Sequence, residues 1–519
     1  MSFDRAKELF LNGLTLLNEN DFKGAEQSFQ ASLNLLPNRA SSLTNLSAAQ
    51  IKLKKFPDAK HASLQAIAIE ENNSEAYFNL GVIENEMGNF SEAIKHLNKC
   101  TQLNPYYYEA WSSAGIAQSG LKQHEEAIAS YDKAISINPN YHEAWSNRGM
   151  ALEGLRLNHE AIASYDKAIS INPNYHEAWS NRGLALAELR LYHEAIASYN
   201  KAISINPNYF DAHWNKALSQ LITGNFKEGW ANYEYRWKCS FAKPLRHQQY
   251  PRLTALSDAV GKRVLVWCEQ GYGDTIQFSR LINELRILNI DIIFEVQKPL
   301  KGLINNSFPS IQVIGQGELF EEVDFQIPLA SLPLLLQVVG ENIPSNSPYL
   351  FCTEANSRIW MEKLNLPKDR LNIGIACSGN INYGNDKNRP IPLSKFEPLA
   401  KISNLYLIQA EIRDTDLNFF KSHAEIRFMG DHIKTFDDSA SILNQMDLII
   451  TIDTSLAHLS GALGKPTYLL ISWAPDWRWL LNTDQSPWYP TLKIVRQSKI
   501  NNWEAAINYV VQQLRHKLP

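Results

Sequence analysis

Along the first 240 residues, large apolar and small positions recur with a period of 34. An aromatic residue or leucine opens each unit: Leu9, Leu43, Tyr77, Trp111, Trp145 and Trp179. Four positions later stand Gly13, Ser47, Gly81, Gly115, Gly149 and Gly183. Further on come Ala25, Ala59, Ala93, Ala127, Ala161 and Ala195. Most units close on a proline (Pro37, Pro105, Pro139, Pro173, Pro207), and the second ends on Glu71 instead. The period is plainest between "YHEAWSNRGMALEGLRLNHEAIASYDKAISINPN" from Tyr141 and its near-copy from Tyr175. Such a period predicts stacked helical hairpins. Small residues let two antiparallel helices approach, large ones fill the gap between hairpins, and proline ends the second helix. A seventh unit degenerates after Tyr233 and reads as a capping hairpin in which Trp230 and Trp237 pack.

After the linker "SFAKPLRHQQYPRLTALSDAVG" the rhythm changes to short apolar runs. "KRVLVWC", "IDIIFEV", "SIQVIG" and "VDFQIP" predict strands, with a helix over "TIQFSRLINELRILN". A second set follows: "LNIGIACSGN", "NLYLIQAE", "AEIRFMG", "MDLIITID" and "PTYLLIS", closed by a helix over "NWEAAINYVVQQLRHKL". Strands alternating with helices imply parallel sheets with right-handed crossovers. The expected division is a repeat array over 1–238, a linker over 239–258, and two α/β halves over 259–345 and 346–519. Ligands in such folds sit at the carboxyl ends of the strands, here in a cleft between the halves.

Composition narrows the classes. A chain of 519 residues predicts two to four domains. Hydrophobic content of 45% and charged content of 20% are ordinary for globular protein. A net charge of −4 without a basic run gives no reason to expect nucleic acid. The five cysteines have neither metal nor redox spacing, which reads as reduced thiols in a cytoplasm. The start lacks the apolar run of a signal peptide, and no stretch reaches the ~20 residues of a membrane span.

Four stretches carry candidate chemistry. In "TIDTSLAHLSGALGKP", Asp453 ends a strand and Thr454 or Ser455 caps the following helix. Its free N–H groups and positive dipole end make an anion site, with His458 one turn in. Asp-Thr at such a junction is also an ordinary cap. In "EQGYGDTIQF", glycines permit close ligand approach and present Asp274, a carboxylate able to take a proton from a hydroxyl. The polar loop "CSGNINYGNDKNRPIPLSKF" offers Asn380, Lys387 and Arg389 to a diphosphate. "SWAPDWRWLLNTDQSPWYP" offers Asp476, Trp477 and Arg478 as a donor or acceptor wall, although most of its tryptophans suit a core.

On the repeats, Asn45, Asn79, Asn147, Asn181 and, in the cap, Asn215 recur on the first helix of each hairpin. Such a ladder of amides suits the backbone of an extended peptide. Leu11 and Ser113 interrupt it.

The first 240 residues resemble the tetratricopeptide repeat, and the asparagine ladder resembles that of the eukaryotic O-GlcNAc transferase superhelix. The second half resembles the GT-B glycosyltransferases, in particular the lipopolysaccharide heptosyltransferase superfamily, through "DTSLAH" and "YGDTIQF". Bacterial proteins that join the two parts share "GW..YE.RW", "EQG.GD.IQF", "ND..R..PL", "DT..AHL.GALGKP" and "DWRWLL…SPWYP". Cys377, Tyr383 and Pro390 depart from the pattern in the polar loop. The resemblance implies an α-solenoid followed by a GT-B fold of two Rossmann-like halves. It implies metal-independent, inverting transfer of a sugar from a nucleotide-sugar donor, without a cofactor, to an acceptor on a protein held by the repeats. Asp274 would act as base. Asp453, Thr454, Ser455, His458, Asn380, Lys387 and Arg389 would hold the diphosphate. A glycan- or lipid-directed transferase and a non-catalytic repeat scaffold are the alternatives.

Overall fold

The computed structural model describes residues 2–379, 389–500 and 502–515. Two compact units divide after Asn208.

The first unit is six helical hairpins: α1 (Ser2–Asn18) with α2 (Phe22–Leu35), α3 (Ala40–Lys52) with α4 (Phe56–Ile69), α5 (Ser74–Glu86) with α6 (Phe90–Leu103), α7 (Tyr108–Gly120) with α8 (His124–Ile137), α9 (His142–Gly154) with α10 (Asn158–Ile171), and α11 (His176–Glu188) with α12 (Tyr192–Ile205). One packing problem is solved six times. Each small residue on a first helix faces a partner 16 residues later on the second. A Cβ on Gly13 would lie 2.6 Å from Phe29, and one on Gly115, Gly149 or Gly183 would be 2.5–2.6 Å from Tyr131, Tyr165 or Tyr199. The second hairpin uses two small residues instead, and the Ser47 and Ser63 hydroxyls hydrogen-bond at 2.7 Å. Between repeats, Arg148 and Arg182 donate to Asp132 (2.7 Å) and Asp166 (2.6 Å) of the preceding hairpin. First helices of neighbouring hairpins also touch one another, which puts them on the inner face of the stack.

One repeat carries an acid in this packing. Burial pushes the Glu153 carboxyl, against Tyr165, up from 4.5 to about 7. The folded state therefore prefers the protonated form. That contribution is present below the unfolded value near 4.5 and is lost as pH rises through 7. Glu153→Gln is expected to stabilise the array by up to about 3 kcal/mol at pH 8 and by almost nothing at pH 4.5. Urea unfolding followed by circular dichroism at the two pH values checks this, and an equal gain at both would sink it.

The second unit opens with α13 (Phe210–Ile222) and α14 (Phe226–Tyr233). This seventh hairpin, expected within the repeat array, is grouped with the α/β part because its side chains are buried there. The Trp230 indole donates to the Val338 carbonyl at 2.7 Å. Arg236, just past α14, is buried and donates to Glu234, Glu269 (2.9 Å) and Ser331 (2.7 Å). Much of "GW..YE.RW" and the glutamate of "EQG" are thus spent on docking.

There follow β1 (Arg263–Trp267), α15 (Tyr272–Ser279), α16 (Leu281–Ile287), β2 (Asp291–Val296), α17 (Lys301–Ser307), β3 (Gln312–Gly315), β4 (Phe325–Pro328) and α18 (Leu332–Leu335). Then come α19 (Glu354–Leu364), β5 (Asn372–Ala376), α20 (Glu397–Ala400), β6 (Asn404–Leu407), α21 (Asp414–Ser422), β7 (Ile426–Phe428), α22 (Phe436–Gln445), β8 (Leu448–Ile452), α23 (Ser455–Ala462), β9 (Thr467–Ile471), β10 (Leu492–Arg496) and α24 (Glu504–Arg515). Every pairing is parallel. The first sheet runs β3-β2-β1-β4 and the second β10-β9-β8-β5-β6-β7. Read from β7, the second sheet is strands 3-2-1-4-5-6 of a doubly wound fold, with its topological switch between β5 and β8. The strands are buried on both faces. Ile373, Ile375, Ile450, Ile452 and Leu470 form one core with Val510 and Leu514 of α24. The sequence reading missed β10.

Candidate functional site

A cavity of about 780 Å³ lies at that switch point, a size that holds a small-molecule ligand. Residues following β5, β6 and β8, together with the N-termini of α15, α22 and α23, line it. Gln409, after β6, fixes one wall. Its side-chain oxygen accepts from Cys377 N at 3.0 Å, and its nitrogen donates to Ser378 Oγ at 2.9 Å. At Gly430 a Cβ would run into Phe428 and the Gln409 carbonyl, so only glycine fits beside that wall.

The three helix N-termini differ in charge. Asp274 sits in the first turn of α15, and Asp437 and Asp438 in that of α22. The first turn of α23 carries no acid. Thr454 caps it, accepting from Leu456 N at 3.3 Å. Arg389 sits at its head and donates to the Asp453 carbonyl at 2.5 Å. The positive end of α23 is thus left for an anion, with a guanidinium beside it.

His458 is 5% exposed, with Nδ1 2.9 Å from the Tyr489 hydroxyl and its ring stacked on Trp479. Burial, then Arg478 and Arg280, hold it well below the usual histidine range. It stays neutral, so it offers an anion a hydrogen bond but no charge. The Asp453 carboxyl is pushed up to about 6 by burial and by Asp476, against the pull of Arg389 and Arg478.

Asp274 reaches the cavity, but neither oxygen is idle. Oδ2 accepts from Gly271 N at 2.8 Å, and Oδ1 pairs with the Arg478 guanidinium. Arg478 also donates to Asp476 Oδ1 at 2.8 Å and to Gln277 Oε1 at 2.6 Å. Asp476 and Arg478 therefore line the cavity as expected of a wall, whereas Trp477 does not. Trp477 is buried edge-on against Trp230, with Arg478 lying 4.2 Å over its ring. Its apolar faces are filled by core side chains, which leaves none for a ligand. Asn380 and Lys387 lie outside the described residues.

Sequence reasoning missed Tyr272, Gln409, Glu411, Lys434 and Phe436, all of which line the cavity. Tyr272 and Phe436 meet at its rim, their rings 5.0 Å apart. Gln409 and Glu411 follow β6 directly, so the strand-end rule, applied to "NLYLIQAE", points to them.

In the first unit the asparagine ladder is uneven. Asn79 is buried and donates to the Thr44 carbonyl at 3.0 Å, a strut between hairpins. Asn45 bonds its own helix through the Ser41 carbonyl. Asn147 and Asn181 are half-buried and have no hydrogen-bond partner among the described residues. Asn215 lies on α13, in the second unit. Two amides of the first unit thus remain free for a peptide backbone.

Comparison with known proteins bears on the first unit. A model described as "Tetratricopeptide repeat" matches residues 74–107 and 176–209, and one described as "TPR repeat" matches 120–155 and 158–189. The first unit is built of tetratricopeptide repeats. Such repeats suggest a protein-interaction scaffold with a protein or peptide partner. Protein FlbA of Caulobacter vibrioides is 23% identical over 320 residues, 57% of this chain and 53% of that protein. The chain thus spans about half the length of this curated relative. Among solved structures, MamA protein is 26% identical, with a TM-score of 0.29, covering 33% of this chain and 93% of its own. YrrB, titled "a TPR protein with an unusual peptide-binding site", is 20% identical, with a TM-score of 0.31, covering 36% and 97%. A tetratricopeptide repeat protein from Parabacteroides merdae is 18% identical, with a TM-score of 0.39, covering 46% and 95%. Among the described residues no helix is long and apolar enough to cross a membrane.

Proposed function

We propose that the second unit is a GT-B glycosyltransferase that moves a sugar from a nucleotide-sugar donor to an acceptor hydroxyl, with the repeats presenting a protein acceptor. The observation that carries this reading is the uncompensated N-terminus of α23, at the switch point of a doubly wound sheet and opening into a cavity of ligand size. In it the leaving diphosphate takes hydrogen bonds from the α23 backbone and Thr454, and charge from Arg389. Lys434, also on the cavity wall, adds a second cation. Asp274, across the cavity, takes the proton of the acceptor hydroxyl. Stabilising the departing phosphate is the larger task, because charge develops there as the glycosidic bond breaks. Transfer with inversion and without a metal is part of the same reading.

The test is calorimetric titration of the whole protein with UDP, GDP, ADP, CDP and dTDP, beside Arg389→Ala. One nucleotide is expected to bind selectively, and Arg389→Ala to weaken it about 10–100-fold, as loss of a charge-assisted phosphate contact does. Binding of none would leave the second reading, a repeat scaffold whose transferase part is inactive. That reading is supported by the engagement of both Asp274 oxygens.

A further inference from the structure

Two of the stretches singled out in the sequence, "GYGDTIQF" and "DWRW", meet through one side chain. Arg478 stands on the short turn Trp477–Trp479 after β9, and its targets Asp274 and Gln277 are one turn apart on α15, which follows β1. Nε donates to Gln277 Oε1 (2.6 Å), Nη1 to Asp476 Oδ1 (2.8 Å) and Nη2 to Asp274 Oδ1. The guanidinium lies over the Trp477 ring, and the side chain is 9% exposed. Such a grip is planar and multidentate, a geometry that lysine does not reproduce.

We infer that Arg478 is a positioning residue for Asp274: from across the cavity it holds that carboxylate ionised and in one orientation, while Asp476 draws off part of its charge. The inference rests on the reading of Asp274 as the group that accepts the proton. The grip leaves this function open, because each carboxylate oxygen has two lone pairs and spends one. What is fixed is direction. Gly271 N holds one oxygen and Arg478 the other, so the remaining lone pairs have a set aim.

The electrostatics have the matching sign. Burial pushes the Asp274 carboxyl above the usual range, Arg478 pulls it down, and Asp476 pushes it up again. The other titratable and charged groups around the cluster are Asp453 and Arg389 at the end of β8, His458 on α23, and Tyr233 at the end of α14. Removing Arg478 leaves a buried carboxyl beside other acids, so it binds its proton to higher pH. Removing the charge of Asp476 acts in the opposite direction twice. It ends a repulsion and concentrates the guanidinium on Asp274. Asparagine at 476 keeps the oxygen that caps the turn at Arg478 N.

The experiment is a carboxyl titration of the full chain labelled with 13C-aspartate, the Asp274 signal being the one absent from Asp274→Asn. The pH dependence of transfer is measured in parallel with whichever nucleotide sugar the panel above selects. In Arg478→Met the Asp274 midpoint is expected to rise by at least one unit, about tenfold in proton affinity. Activity lost at neutral pH then returns on the alkaline side. Arg478→Lys recovers part of the shift, and Asp476→Asn moves the midpoint down. Midpoints that stay put, or that move the same way in Arg478→Met and Asp476→Asn, would overturn the inference. So would a uniform loss of activity at every pH. If Arg478→Met does not fold, the isosteric Asp476→Asn decides alone. If the wild type turns over no nucleotide sugar, the transferase reading fails, and the carboxyl titration still decides whether Arg478 governs Asp274.

Discussion

Replacing Trp230 by alanine is expected to cost the second unit about 3–5 kcal/mol of stability, the usual range for emptying a buried tryptophan site. Trp230 is 2% exposed and meets Trp477 edge-on at 5.2 Å, with Phe226, Tyr233 and Phe278 around it. Truncation leaves a cavity among rings that cannot collapse into it, and the Val338 carbonyl loses its donor. The unsatisfied carbonyl alone accounts for about 1–3 kcal/mol. Trp230→Phe keeps most of the volume and is expected to cost only that second part. The damage also reaches the site, because Trp477 is the ring on which Arg478 lies. Urea unfolding gives the energies, and hydrogen exchange on α14 locates them. Equal midpoints for wild type and Trp230→Ala would mean that α13 and α14 are not part of the cooperative unit.

The parts legible in the sequence are those in which chemistry repeats or runs unbroken. The 34-residue period shows because the contact between Gly149 and Tyr165 is made over and over at the same offset. Nine of the ten strands show because parallel strands buried on both faces read as continuous apolar runs. β10 escaped because it follows an aromatic-rich stretch that reads as core without a period. The junction at Thr454 was legible because a cap is local. The pairing of Arg478 with Asp274 was not, since 204 residues separate them and only the fold sets their distance. Asn79 stands at a ladder position yet serves as a strut for the same reason. Its partner, the Thr44 carbonyl, lies in the preceding hairpin.

Gly273 and Gly271 belong to one turn and read alike in the sequence, yet alanine is expected to separate them sharply. A Cβ on Gly271 would meet only Asp274 Oδ2, at 3.2 Å, and the residue has an ordinary φ of −74°. A Cβ on Gly273 would lie 2.7 Å from His458 Cδ2 and 3.6 Å from Ser455 Cα. His458 cannot yield, because it is held by the Tyr489 hydroxyl on one side and by Trp479 on its face. The added methyl must therefore move α15 off α23, at about 1–3 kcal/mol of overpacking. The consequence for function exceeds the consequence for stability. α15 carries Asp274 and α23 the anion site, so their separation sets the distance between base and leaving group. A shift of about 1 Å there is expected to lower transfer about 100-fold. Nucleotide binding, which needs only the α23 side, should fall far less. Scanning calorimetry and nucleotide titration on both variants check the argument. If Gly271→Ala proves as damaging as Gly273→Ala, the glycines serve the turn itself rather than the crossing of the two helices. If Gly273→Ala loses nucleotide affinity as steeply as transfer, the two halves of the cavity act as one binding surface and Asp274 has no separate task.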